Sequence, residues 1–272
     1  MMAGGTFAGA GESGGRTLVY LARHGQTPLN ESGVLRGLAD PPLDQTGRDQ
    51  ARRLGAALGP RGLWAVISSP LLRARQTAQP VAERAGLAVA TDQCLVDRDY
   101  GQWTGISREA VVAQWGSVDR APGVEPRSAV AGRAAGGLTD IARRCLGGTV
   151  TVVSHDAVNR QVLAAFDAGL GDPDTIPQDN GCFNTLLWKA DGLFSASTNC
   201  LTARDRCSRQ RCRRDSSPRQ NVSSVRREGK TPAGLAGVIS AVTRAAGRSG
   251  AATLGDVGDR MPWRPAHRTG SP

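Results

Sequence analysis

From about residue 17 to residue 196, segments with two different patterns of apolar residues alternate along this chain. Short and almost wholly apolar runs are typical of buried strands, and such runs cover residues 17–22, 64–69, 87–91 and 149–153. Apolar residues three and four positions apart are typical of amphipathic helices, and this spacing covers residues 46–58, 71–85, 107–115, 128–144 and 157–168. The alternation predicts an α/β fold, a three-layer sandwich with a mostly parallel central sheet and helices on both faces.

Turn-forming and capping residues separate these segments. Gly59 and Pro60 follow the first long helix and stop it, and Ser107 is a suitable N-cap for a later one. Two short apolar runs, at residues 182–188 and 194–196, are close enough to form a hairpin. We expect this hairpin to close the sheet.

Composition divides the chain into a flexible leader (1–15), a folded domain (16–198) and a basic, disordered tail (199–272). The net charge is +10 at pH 7. Residues 1–199 hold 19 Lys and Arg against 19 Asp and Glu, whereas residues 200–272 hold 15 against 5. The whole positive excess therefore belongs to the tail, and residues 1–199 carry no net charge.

The tail contains a dense arginine cluster without interleaved aromatic residues, formed by Arg204, Arg206, Arg209, Arg211, Arg213 and Arg214. Such a cluster binds nucleic acid or another acidic surface through charge alone, so nucleic acid is expected as a partner only through the tail. The preferred interpretation, however, is a solvated tail without a partner. Another is a shifted reading frame in arginine-rich coding sequence, which would explain the abrupt loss of the apolar pattern.

Membrane, secretion and metal signals are absent from the sequence. No apolar run reaches the roughly 18 residues of a membrane-spanning helix, and the first 15 residues do not resemble a secretory signal. Six cysteines are scattered along the chain, and those at 200, 207 and 212 have no histidine nearby and fit no standard zinc spacing. We predict a cytoplasmic protein with reduced thiols, no membrane contact and no metal, and we leave its oligomeric state open.

Two of the three histidines directly follow predicted strands. His24 comes after the first strand, in the segment Arg23-His24-Gly25, and His155 follows the strand at 149–153. Ligands of open α/β sheets bind outside the carboxyl ends of the strands. Two histidines at that edge, with arginines nearby, are what phosphoryl transfer through a phosphohistidine requires.

The neighbouring residues suit the same chemistry. A neutral imidazole is a nucleophile at physiological pH, and a hydrogen bond from one ring nitrogen to a backbone carbonyl leaves the other nitrogen free to attack. Gly25 lets the backbone turn tightly and approach a phosphate. Arg23 offers a fork of N–H groups to two phosphoryl oxygens, and Arg73, in the first turn of a helix that follows a strand, is a second candidate.

Three segments, in this order, resemble the motifs of the histidine phosphatase superfamily, also called phosphoglycerate mutase-like. They are Arg23-His24-Gly25-Gln26-Thr27 with Asn30, then Ser68-Ser69-Pro70-Leu71-Leu72-Arg73-Ala74-Arg75-Gln76-Thr77-Ala78, and finally Ser154-His155-Asp156. The resemblance covers about residues 16–198. It implies that His24 is phosphorylated, and that the phosphoryl group is bound by Arg23, Arg73 and His155 and contacted by Asn30. It implies a small phosphorylated substrate and no metal or organic cofactor.

The resemblance also implies a general acid, for which this chain departs from the family. The family usually has a Glu where Asp97 stands here, and an Asp side chain is one methylene shorter but still able to donate a proton. Asp99 is the alternative. The family's usual Pro-x-Gly-Glu-Ser stretch is altered here over residues 122–126, and Arg36-Gly37 matches a weaker feature at the mouth of the site. For Arg36, a functional role and none remain equally open.

Together these observations predict a metal-independent phosphomonoester phosphatase that works through a phosphohistidine. The alternative within the same fold is phosphoglycerate mutase-type phosphoryl transfer. Hydrolysis is preferred because the segment after His155 and the altered residues 122–126 do not resemble a dedicated mutase. The alternative from another class is a catalytically weak binding protein whose basic tail contacts nucleic acid.

Overall fold

The computed structural model describes residues 15–189 and 194–201. Within them the chain forms six strands: β1 (Arg16–Arg23), β2 (Ala65–Ser68), β3 (Val89–Thr91), β4 (Thr149–Ser154), β5 (Phe183–Lys189) and β6 (Phe194–Leu201). The α-helices of the same residues are α1 (Pro28–Glu31), α2 (Gln45–Leu58), α3 (Leu72–Ala85), α4 (Arg108–Trp115), α5 (Arg127–Arg144) and α6 (Asp156–Phe166). Each of the predicted strands and long helices is present.

Several differences from the prediction have a clear physical reason. The third strand begins at Val89 rather than at residue 87, because the helix before it ends at Gly86 in the left-handed conformation (φ 68°). The short helix α1 was not expected, since four residues are too few to show a helical spacing. The last strand extends to Leu201 instead of residue 196, because it pairs along the whole length of β5. Cross-strand pairing sets that length, and local pattern does not reveal it.

The six strands form one sheet in the order β3-β2-β4-β1-β5-β6. The pairs β1–β4, β2–β4 and β2–β3 are parallel, and β5 runs antiparallel to both β1 and β6. The predicted mostly parallel sheet is therefore confirmed. In the register of β1 with β4, Arg23 lies opposite Ser154, so the residue that follows each of them leaves the sheet at the same edge.

The helices pack on both faces of the sheet, which confirms the predicted layers. Alternate residues of β1 point to opposite faces. Val19 and Leu21 belong to a core formed with α5 and α6, which includes Leu138, Ile141, Val158 and Leu163. Tyr20 and Ala22 belong to a core formed with α2 and α3, which includes Leu54, Leu58, Ala78 and Val81. These two cores hold the sheet rigid behind its functional edge.

The predicted leader lies outside the described residues except for Gly15, and so do the tail from residue 202 onward and its arginine cluster. The domain limits and the disorder of the tail therefore stay predictions. Within the described part of the chain, no helix combines the length and the apolar character needed to traverse a bilayer.

Candidate active site

The pairing of β1 with β4 brings His24 and His155 together at the carboxyl edge of the sheet. Each histidine directly follows one member of the Arg23–Ser154 pair, and the His24 amide donates a 3.0 Å hydrogen bond to the Ser154 carbonyl. The two ring centroids are 5.1 Å apart and the rings are inclined by 57°. Both side chains are 0% exposed.

The ring of His24 has one nitrogen engaged and one free. Its Nδ1 lies 2.7 Å from the Gly25 carbonyl oxygen and, as an N–H, donates to it. Its Nε2 is buried and has no hydrogen-bond partner. The lone pair of a neutral ring is then on Nε2, which is the arrangement that nucleophilic attack by this nitrogen needs.

The turn after His24 is held by close backbone packing. A Cβ atom on Gly25 would lie 2.6 Å from the Gly47 carbonyl oxygen, and one on Gly47 would lie 2.0 Å from the Gln26 carbonyl oxygen. The Gly25 amide also donates to the Thr77 hydroxyl at 2.9 Å. Two helices, α2 through Gly47 and α3 through Thr77, therefore fix the main chain that carries His24.

His155 lies between Ser69 and Asp97. Its Nε2 is 2.8 Å from the Ser69 hydroxyl oxygen, and its Nδ1 is 3.5 Å from Asp97 Oδ2. If the neutral ring accepts a hydrogen bond from the Ser69 hydroxyl at Nε2, its own proton is on Nδ1. Nδ1 is the nitrogen that faces Asp97.

Burial and nearby cations keep both histidines neutral. Burial lowers the pKa of His24 well below its ordinary value, and the neighbouring His155 and arginines lower it further. Burial likewise lowers the pKa of His155, with additional effects from Arg73, Arg36 and Arg23. A neutral His24 at physiological pH retains the lone pair that a nucleophile uses.

Arg23 and Arg36 approach the histidines from one side, and Asp156 orients both. Arg23 donates through Nη1 to the Gln178 carbonyl, and its Nη2 lies 3.9 Å from Asp156 Oδ2. Arg36 donates through Nη2 to Asp156 Oδ1 at 3.2 Å. Between them, these two cations lower the pKa of the Asp156 carboxyl against the effect of its burial. The structure therefore places Arg36, whose role the sequence left open, at the site.

Arg73 is fully buried and most of its N–H groups are already bound. Its Nη1 donates to the Ala39 carbonyl at 2.6 Å, and its Nη2 donates to the Gly37 carbonyl at 2.9 Å and to Asp97 Oδ2 at 2.8 Å. Its Nε has no hydrogen-bond partner. Arg73 therefore offers Nε to a ligand in this arrangement, while its Nη groups position the acid and the loop at residues 37–39.

Five buried side-chain nitrogens of this cluster have no hydrogen-bond partner in the described protein. They are Nε of Arg23, Arg36 and Arg73, Nε2 of His24 and Nδ1 of His155. Buried donors without acceptors are costly to a fold. Several such groups in one cluster, three of them on guanidinium ions, suit an anion with several oxygen acceptors, such as a phosphoryl group.

Asp97 belongs to this cluster and Asp99 does not. Asp97 is 2% exposed, its Oδ2 contacts Arg73 and faces His155, and its Oδ1 accepts a 2.9 Å bond from the Arg98 amide. Burial raises the pKa of Asp97, and the charge of Arg73 partly opposes that rise. Asp99 instead accepts from the Gly101 amide at 2.8 Å in the next turn.

The Asn30 side chain has a local role in the structure. Its Oδ1 accepts hydrogen bonds from the Thr27 amide at 3.0 Å and the Thr27 hydroxyl at 2.9 Å. The oxygen therefore holds the turn at the start of α1. Contact of Asn30 with a phosphoryl group stays a prediction.

Three residues at the site were not identified from the sequence as functional: Ser69, Asp156 and Arg133. Arg133 donates to the carbonyls of Cys94 (3.0 Å), Val96 (2.7 Å) and Asp97 (3.1 Å), and thereby holds the segment that carries the acid. The signal for Ser69 and Asp156 was available, because both lie beside strand ends within the quoted motifs. Arg133 lies in the middle of α5, where local sequence gives no sign of its role.

Cys94, Cys145 and Cys182 form no disulfide. Within residues 15–189 and 194–201 no group of three or more His, Cys, Asp or Glu side chains is arranged to hold a metal ion. Cys207 and Cys212 lie outside the described residues.

Comparisons with known proteins agree with this geometry. The model of the histidine phosphatase superfamily (branch 1) matches residues 19–200. Phosphoserine phosphatase 1 of Hydrogenobacter thermophilus is 32% identical over 158 residues, which is 54% of this chain and 75% of that protein. A 2,3-bisphosphoglycerate-dependent phosphoglycerate mutase of Sinorhizobium fredii is 34% identical over 168 residues, 56% of this chain and 79% of that protein.

Solved structures share the fold as well. The structure of Bacillus stearothermophilus YhfR superposes with a TM-score of 0.62 at 28% identity, and the match covers 68% of this chain and 96% of that one. The chain spans about half (54%) of the length of three mycobacterial relatives that it matches at 34% identity.

Proposed function

Because this chain belongs to the histidine phosphatase superfamily (branch 1), we propose that it is a metal-independent phosphomonoester phosphatase that works through a phosphohistidine on His24. The observation that carries the proposal is the free Nε2 of a buried, neutral His24 among arginine N–H groups that lack acceptors. Relatives named as phosphatases support hydrolysis as the reaction.

Substrate binding uses the unpartnered donors of the cluster. Nε of Arg23, Arg36 and Arg73 and Nδ1 of His155 donate to the phosphoryl oxygens, and these contacts tighten as charge spreads over the oxygens in the transition state. Because the site is buried, each of these charged hydrogen bonds is stronger than it would be in water. The substrate is a small molecule with a phosphomonoester group.

In the first step the lone pair of His24 Nε2 forms a bond to phosphorus, and the bond between phosphorus and the ester oxygen breaks. Asp97, protonated, gives its proton to the leaving oxygen, so that an alcohol departs rather than an alkoxide. Burial raises the pKa of Asp97 and so favours this protonated form. The hydrogen bond from Nδ1 to the Gly25 carbonyl holds the ring in place during attack.

In the second step Asp97, now a carboxylate, accepts a proton from a water molecule. The water oxygen bonds to phosphorus, the bond to His24 Nε2 breaks, and the electron pair returns to the ring. Inorganic phosphate leaves, and Asp97 has regained the proton that it gave in the first step. The cycle is balanced without a metal ion or a second substrate.

The test combines steady-state hydrolysis with trapping of the intermediate. In EDTA, wild-type protein is expected to hydrolyse p-nitrophenyl phosphate, and a labelled phosphomonoester quenched at alkaline pH should leave an acid-labile label on His24. His24→Asn, whose amide can still donate to the Gly25 carbonyl, should show neither. If His24→Asn hydrolyses substrate as wild type does, or if wild type neither turns over nor labels on a broad panel of phosphomonoesters, the proposal is wrong.

The alternatives give different results in the same experiment. A mutase would transfer the label from the protein to a phosphorylated sugar acid rather than release it as inorganic phosphate. A binding protein that uses its basic tail would be inactive on every ester, and that tail lies outside the described residues.

A further inference from the structure

A cavity of about 260 Å³ lies beside the cluster of His24 and His155. Its lining includes four arginines and two aspartates: Arg98, Arg108, Arg127, Arg160, Asp156 and Asp174. We call it the arginine cavity. Side chains from α4, α5 and α6 enclose it together with the segment that follows Asp97, so it is built by tertiary packing rather than by one loop.

Asp156 connects the arginine cavity to the phosphoryl site. Its carboxylate lines the cavity and also contacts Arg36 at 3.2 Å and Arg23 at 3.9 Å. Asp156 is therefore shared by the lining of the arginine cavity and by the cluster around His24.

The cavity's four arginines differ in their ion pairs. Arg98 and Arg127 both pair with Asp119 at 2.8 Å, and Arg127 also pairs with Asp174. Arg160 donates to the backbone carbonyls of Pro173 and Asp174 and shares the field of Asp156, a carboxylate that Arg23 and Arg36 already contact.

Arg108 is exposed, and within the described residues its guanidinium makes no hydrogen bond or ion pair. An uncompensated guanidinium in a cavity attracts a carboxylate or phosphate, which it binds through paired N–H groups.

A second cavity, of about 480 Å³, lies on the other side of residues 96–100 and has the opposite character. Asp97, Asp99 and Glu125 line it together with apolar side chains such as Leu38 and Val124. Asp97 is bonded to Arg73 and Glu125 to Arg133, whereas Asp99 forms no ion pair with the described residues and would repel an anion. Asp97 and Asp99 line this second cavity, whereas Arg98 and Tyr100 line the arginine cavity, so a second negative charge on a substrate favours the arginine cavity.

We propose that the substrate carries a second anionic group, a carboxylate or another phosphate, which binds at Arg108 and Arg160 in the arginine cavity. The inference rests on the proposed function, because it takes the first phosphoryl group to be bound at His24. It assigns the substrate to the phosphomonoesters whose alcohol part carries an anionic group, rather than to those whose alcohol part is neutral or cationic.

Binding of stable phosphonates tests the proposal without any turnover. Isothermal titration calorimetry compares phosphonocarboxylates and bisphosphonates of two to five carbons with alkyl phosphonates of the same length. At one or more chain lengths the doubly anionic ligand should bind about tenfold more tightly to wild type. That ratio should fall to about one in Arg108→Gln/Arg160→Gln. It should stay at the wild-type value in the control Arg53→Gln, which changes an exposed arginine of α2.

Hydrolysis separates this inference from the proposed function. Phosphoserine and phosphoethanolamine differ by one carboxylate, and wild type should prefer phosphoserine in kcat/KM, with the preference lost in the double variant.

The outcomes of binding and hydrolysis are distinguishable. Tighter binding of the doubly anionic ligand without hydrolysis of any ester would refute the phosphatase and keep the second anion site. Equal affinities for singly and doubly anionic phosphonates, or no binding of either, would overturn the site, and hydrolysis would then stand alone. Preference for a bisphosphonate over a phosphonocarboxylate identifies phosphate as the second group, and the reverse identifies carboxylate.

Discussion

Acidification from about pH 7 to about pH 5.5 is expected to destabilise the folded protein through His24 and His155. In the unfolded chain each imidazole has a pKa near 6.5. In the folded protein burial lowers the pKa of both rings well below that value, and the surrounding arginines add to the effect. The unfolded chain therefore binds more protons in this pH range, so stability is fully present above pH 6.5 and falls as the pH drops.

The magnitude follows from the two protonation equilibria. A histidine that stays neutral in the folded state loses about 1 kcal/mol of stability between pH 7 and pH 5.5, because only the unfolded state gains the proton. The two rings together should cost about 2 kcal/mol. This is a substantial part of the stability of an ordinary domain.

Urea denaturation at the two pH values, followed by tryptophan fluorescence, measures the loss. His24→Asn keeps a donor for the Gly25 carbonyl, and His155→Gln keeps a polar atom for Ser69, so each removes a titration with little change in packing. Each variant should lose about 1 kcal/mol less than wild type on acidification. Buffers must be free of phosphate, because a bound anion stabilises the folded state. Equal losses in wild type and both variants would refute the argument.

Three further substitutions, together with one control substitution, test how the site is built. Asp97→Asn should lower kcat/KM on alkyl phosphates by roughly 10²–10⁴-fold but affect kcat/KM on p-nitrophenyl phosphate far less, since that phenolate leaves without a proton. The comparison uses kcat/KM because kcat also includes hydrolysis of the phosphohistidine, in which Asp97 acts as base for both esters. Equal losses in kcat/KM on both esters would contradict a role as acid. Gly47→Ala places a Cβ 2.0 Å from the Gln26 carbonyl oxygen and should cost about 1–3 kcal/mol in unfolding experiments and most of the turnover. As the control, Gly136→Ala in α5 adds a Cβ that would meet no other part of the protein within 4 Å. It should instead stabilise the folded protein by about 0.5–1 kcal/mol. Arg133→Met removes the donors to three carbonyls of the Asp97 segment. The ratio of kcat/KM on an alkyl phosphate to kcat/KM on p-nitrophenyl phosphate should then fall on the order of tenfold. An unchanged ratio would leave Arg133 with a purely structural role.

Most of the fold was accessible from the sequence because the strands of a parallel sheet are buried on both faces. Such strands appear as short apolar runs, and the helices that cover them show a helical spacing. The elements that were missed or misplaced have weak local signals. Helix α1 has only four residues, and the end of β6 depends on pairing with β5 across the hairpin.

The site was only partly accessible. His24 and His155 are separated by 130 intervening residues, yet both follow strands, so their meeting was predictable from topology. Arg36 was not predictable in this way, because it lies in a loop and is held at the site by a hydrogen bond to Asp156. Arg133 acts from the middle of a helix on carbonyls of a distant segment. Loop conformation and long-range side-chain contacts leave no periodic trace in a sequence.

The sequence by itself therefore determined the order of strands and helices, the position of the nucleophile and the resemblance to a family, because these depend on local pattern and on residue identity. Tertiary structure alone decided that Asp97 rather than Asp99 faces His155, that Arg73 holds the acid through Nη and offers Nε, and that an arginine-lined cavity adjoins the site. Each of these depends on which side of an extended segment or helix a side chain leaves, and packing of the whole domain sets that direction.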